Sequence, residues 1–62
     1  MDKREIGFTQ GVVFAIALLI RNGYGYGNGN AEILWNESGF TEKDLEVCEN
    51  YDADEVRKML KP

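Results

Sequence analysis

Apolar positions are unevenly spread along the chain, and the longest run, VVFAIALLI at 12–20, is bounded by Gly11 and Arg21. Ala, Leu and Ile dominate it. The pattern predicts a first helix over residues 9–22, starting as early as Lys3 and closed by Gly23 as a left-handed C′ residue. On this helix Phe8, Val12, Ala15, Ile16, Leu19 and Ile20 mark the main face, while Val13, Phe14, Ala17 and Leu18 extend apolar surface almost all round. The least apolar line is Gly7, Gln10, Phe14, Ala17 and Arg21, which puts Phe14 nearest to solvent or a partner. A helix apolar on every side is either central to a core or shared between chains. Because the chain offers few other elements to wrap it, the expectation is a homodimer that pairs through Val12, Val13, Phe14, Ala17 and Leu18.

The pattern changes after Asn22. The segment NGYGYGNGN at 22–30 alternates glycine and disfavours regular helix. Asn30 then serves as N-cap for a short helix over 31–38 carrying Ile33, Leu34 and Trp35, with Gly39 as its stop and Phe40 as the accompanying apolar contact. Thr41 with Asp44 forms a variant capping box that opens a third helix ending near Asn50, its inner face made by Leu45 and Cys48 with Val47 beside them. Asp52 with Glu55 repeats the box for a last helix, on which Val56, Met59 and Leu60 share one face and Lys58 and Lys61 suit the C-terminal dipole. The fold expected is all-α: a single domain over 1–62, a small bundle of about four short helices with a Gly/Tyr-rich loop.

Length limits how this fold is stabilised. A 62-residue chain buries only about 60% of the surface its unfolded form exposes, so extra support is usual. Cys48 is the only cysteine and there is no histidine, which removes a disulfide framework and leaves no ligand set for zinc. Neither a metal nor a cofactor is expected. The nine-residue apolar run falls short of the roughly 20 residues a membrane span requires, and no small-residue cleavage site follows it. A cytoplasmic setting follows from these features and from the single thiol.

Catalytic groups are scarce. Histidine, the usual acid/base near neutral pH, is absent; Ser38 has no base to activate it; and Cys48 lies among acidic residues that oppose its thiolate. Asp52, Asp54 and Glu55 cluster at a helix start, where carboxylates stabilise the dipole. Asn28, Asn30 and Glu32 only echo a calcium loop, and the glycine loop lacks the spacing and the Gly-Lys-Ser/Thr of a phosphate cradle. The expectation is a protein that is not an enzyme.

Charge decides between kinds of partner. Residues 32–55 hold nine acids and one base, Lys43, for a net −8; the rest of the chain holds two acids and six bases, for a net +4. Residues 31–50 have the outline of a helix-turn-helix, but the second helix carries Glu42, Asp44, Glu46 and Glu49, which phosphates would repel. Direct nucleic-acid binding is therefore not expected. An acidic surface instead suits a basic site on another protein, or it serves solubility alone. Beside it, Tyr24 and Tyr26 in Gly-Tyr-Gly-Tyr-Gly have the composition of a binding loop, unless their rings fold back onto the core. Tyr24, Tyr26, Trp35, Glu42, Glu46 and Glu49 are the candidate partner-binding residues.

The marks Gly11-Val12-Val13-Phe14-Ala15, Ala31-Glu32-Ile33-Leu34, Ser38-Gly39-Phe40, Asp44-Leu45, Tyr51-Asp52 and Val56-Arg57-Lys58 resemble those of small phage and prophage proteins. The Tyr-Gly loop departs from their plainer connection, and no catalytic residue carries over. The resemblance implies a short accessory protein, of a group that includes inhibitors of bacterial antiviral systems. The functional expectation is a phage-encoded module that inhibits a host protein, such as an antiviral defence factor, by occluding a functional surface. The alternative is a structural or assembly module that self-associates through the first helix.

Overall fold

The computed structural model describes residues 1–23 and 29–61. Among these residues every element is helical: α1 (Lys3–Arg21), α2 (Asn30–Ser38), a 3-10 helix (Glu42–Val47) and α3 (Asn50–Leu60). The all-α reading holds.

The first helix is longer than the apolar run. Asp2 caps it, its carboxylate accepting the Glu5 N–H at 2.9 Å, so two extra turns precede the hydrophobic stretch. Asn22 and Gly23 close it, with Gly23 at φ 84° and its N–H donating to the Ile20 carbonyl at 3.1 Å. Gly39 closes α2 in the same left-handed region, at φ 73°, where a side chain would be strained.

Three boundaries differ from expectation. The cap of α2 is Gly29 at φ 74°, and Asn30 is the first helical residue instead of the capping one. The Thr41–Asp44 pair is present, with Asp44 Oδ2 accepting the Thr41 N–H at 2.7 Å, but it opens only a 3-10 helix. That helix stops where Cys48 turns extended, short of Asn50, in keeping with the poorer bonding of 3-10 turns. The last helix begins at Asn50 with Glu49 as cap, so Asp52 and Glu55 stand inside it and do not form a box; their carboxylates face Arg21 of α1 instead.

α1 is the central element, and α2, the 3-10 helix and α3 all pack on it, α3 most extensively. The core comprises Val13, Ile16 and Ile20 of α1, Ala31 and Trp35 of α2, Leu45, and Ala53, Val56 and Met59 of α3. Phe40 packs edge-on against Trp35 and against Phe8, each with ring centroids 6.2 Å apart. The inward face of α1 is thus Thr9, Val13, Ile16, Ala17 and Ile20, rotated from the expected one: Phe8 and Ala15 are exposed, while Val13 and Ala17 are fully buried. The chain's own helices cover the inward half of α1, so its all-round apolar character does not by itself require a second copy.

Candidate protein-binding face

The outward side of α1 carries Gly7, Gln10, Gly11, Phe14 and Leu18, all exposed. Their spacing places them on one stripe of the helix. Phe14 is 52% exposed and Leu18 46%, large values for apolar side chains in a domain with little core to spare. A Cβ built at Gly7 or Gly11 meets nothing within 4 Å, so no neighbour in the chain demands glycine at either position. Each glycine costs the helix roughly 0.5–1 kcal/mol relative to alanine.

The stripe is one wall of a groove of about 490 Å³ lined by Gly7, Gln10, Gly11, Phe14, Glu49 and Asp52. The other wall is the start of α3. Two tethers hold the walls in place. Gln10 Nε2 donates to the Val47 carbonyl at 2.7 Å, joining α1 to the end of the 3-10 helix. At the far end, Arg21 Nη2 donates to Asp52 Oδ1 at 3.0 Å and to the Tyr51 carbonyl at 3.1 Å, Nε approaches Glu55 Oε1 at 3.7 Å, and the guanidinium carbon lies 3.8 Å from the centre of the Tyr51 ring. Arg21 Nε is buried and makes no hydrogen bond, so only the longer approach to Glu55 balances it. Asp52 is thereby neutralised from within the chain. Among the described residues Glu49, on the same wall, forms no ion pair.

The candidate residues fall in different places. Tyr24 and Tyr26 lie outside the described residues. Trp35 is a core side chain, 7% exposed and packed against Phe40, which corrects its assignment as an outward contact: its bulk fills the space between α1 and α2. Glu42, Glu46 and Glu49 are exposed, but only Glu49 lines the groove, and Glu42 pairs with Lys61 at 3.7 Å. Of the self-association set, Val13 and Ala17 are buried in the chain's own core and Val12 is half-buried, because α2 and α3 already occupy that side of α1; Phe14 and Leu18 remain available. Of the groove residues, Gly7, Gln10, Gly11 and Asp52 were not among the candidates; the outward line of Gly7 and Gln10 was legible, but not as a binding wall. The i, i+4 spacing of Gly7 and Gly11 inside a helix was the signal for that wall; Asp52 emerges only from the packing of α3 on α1.

Chemistry at Cys48 is muted. The thiol is half-buried, with Sγ 3.7 Å from the Asp44 carbonyl it donates to. Burial pushes its pKa up, Asp52 and Asp44 add to the rise, and Arg57 opposes it, so the unreactive thiol is favoured over the thiolate. Among the described residues no group of three or more His, Cys, Asp or Glu is arranged to hold a metal, and no helix is long and apolar enough to cross a membrane. Comparison with protein-family models, characterised proteins and solved structures found no match.

Proposed function

We propose that this chain acts by binding another protein through the outward side of α1, covering a functional surface of that partner. The observation that carries the reading is Phe14, half-exposed beside an open groove with a glycine wall on one side and an acidic wall on the other. Aromatic anchors flanked by pockets are where interface energy concentrates. In the setting that the phage resemblance implies, the partner is a host protein, such as an antiviral defence factor, and the outcome is inhibition by occlusion. Tyr24 and Tyr26 follow α1 in the chain and keep their sequence-based place as candidate contacts. The test is capture from a host lysate with the wild type and with Phe14→Glu/Leu18→Glu. A partner retained by the wild type and lost by the variant is the expected result; an unchanged set of captured proteins removes this face from the proposal.

A second reading is self-association through the same residues, favoured by the exposure of Phe14 and Leu18 together. Sedimentation across a wide concentration range separates the two, because a strictly monomeric chain eliminates the second.

A further inference from the structure

We infer that the groove takes a basic amphipathic helix of a different protein, which seats one large apolar side chain among Gly7, Gln10, Gly11 and Phe14 and sets a Lys or Arg against Glu49. The inference rests on the protein-binding reading and names the partner's chemistry.

The shape of the groove specifies a helix. Gly7, Gln10, Gly11 and Phe14 stand at i, i+3, i+4 and i+7, the four corners of the hole that receives a knob when helices pack side by side. Two of those corners lack side chains and have open space where a Cβ would stand, so the backbone of α1 is accessible to close approach. The apolar side of Phe14 forms a third corner.

The charge of the groove specifies which helix. Asp52 is matched by Arg21, but Glu49 faces the same space with no cation beside it among the described residues. On a second copy of this chain the cations of α1 stand only at its two ends, Lys3, Arg4 and the already paired Arg21, and none lies on the stretch that carries Phe14. A basic helix satisfies both the hole and the carboxylate, and the chain's net charge of −4 favours its approach.

Two synthetic 18-residue peptides test the inference on the full chain, both with Leu at heptad positions and with either Lys or Glu at the remaining ones. Fluorescence anisotropy should show saturable one-to-one binding of the Lys peptide and at least tenfold weaker binding of the Glu peptide. Gly11→Leu puts a side chain into the hole at a position where a Cβ meets no described neighbour, leaves the charge unchanged, and should weaken the Lys peptide at least tenfold without lowering the unfolding midpoint. Glu49→Gln should weaken it to a smaller extent. Equal binding of the two peptides, binding indifferent to Gly11→Leu, or binding of neither peptide overturns the inference. Self-association abolished by Gly11→Leu, with neither peptide bound, assigns the groove to a second copy instead. The protein-binding reading fails separately, when lysate capture ignores Phe14→Glu/Leu18→Glu.

Discussion

The two sides of α1 are both apolar, yet they meet opposite fates. Inward, Val13, Ile16 and Ala17 have no exposed surface at all and are enclosed by α2, Leu45 and α3. Outward, Phe14 and Leu18 remain about half-exposed, next to two glycines where a Cβ would meet no described neighbour. Hydropathy separates the sides only weakly, through Gln10 and the two glycines, since Phe14 and Leu18 are themselves large apolar residues. What distinguishes them is which one the rest of the chain can reach, and a 62-residue chain has only enough helix to cover one. The uncovered side is therefore surplus to folding, and residues there are free to answer to a partner.

The largest effect expected is on the inward side. Ile16→Ala removes a fully buried side chain and should cost about 2–5 kcal/mol by lost transfer energy and the cavity left behind. Domains of 62 residues are stable by about 3–9 kcal/mol on the usual per-residue scale, so urea unfolding monitored by circular dichroism should show a large fall in midpoint. An unfolding free energy lowered by less than about 1 kcal/mol would mean that the inward side is not the principal core.

Arg21→Met tests the joint between the two sides. Its side chain is 20% exposed and holds Asp52 and the Tyr51 carbonyl, and its loss leaves Asp52 and Glu55 without a counter-charge. A cost of about 1–3 kcal/mol is expected, reduced in high salt because the site is only partly shielded from solvent. Chemical shifts of Gly7, Gln10 and Gly11 should move in the same variant, since the α3 wall loses its tether. Unchanged shifts there would show that Arg21 does not position the groove.

How far the sequence revealed this arrangement follows from which forces are local. Caps and stops were readable, because Gly23, Gly39 and the Thr41–Asp44 pair act within a few residues. The exposure of Phe14 was readable too, from the line it shares with Gly7 and Gln10. Ala17 on that same line is buried, and Phe8, assigned inward, is exposed: an all-round apolar helix gives no periodic signal to fix its rotation. Asp52 and Glu55 looked like a second capping box, a motif with the right local spacing. Their partner Arg21 lies about thirty residues away, a contact set by tertiary packing alone. Trp35 had the chemistry of an interface residue but the size a small core needs.

On the outward side the glycines give an effect of opposite sign. Gly7→Ala and Gly11→Ala should each stabilise the chain by about 0.5–1 kcal/mol, through higher helix propensity and with no new clash. Thermal unfolding should rise by a few degrees per substitution in a domain of this size. A fall in midpoint at either position would show that the glycine serves the fold, and the contrast between the sides of α1 would lose its basis.

The smallest effect on stability is expected at Phe14, and it is the most telling. Phe14→Ser removes a ring that is 52% exposed and outside the buried cluster, so the unfolding free energy should change by no more than about 0.5 kcal/mol. The substitution replaces a helix residue by one of similar propensity, which keeps the backbone term near zero. Against Ile16, two residues along and on the opposite side of the same helix, the ratio of the two costs measures directly how unequally folding uses the two sides. If Phe14→Ser instead costs as much as a core truncation, the ring is folding surface held by contacts beyond the described residues, and a partner is not needed to explain it. If stability is untouched while partner capture is lost, the same side chain is surplus to folding and essential to binding, which is the division of labour that the geometry of α1 implies.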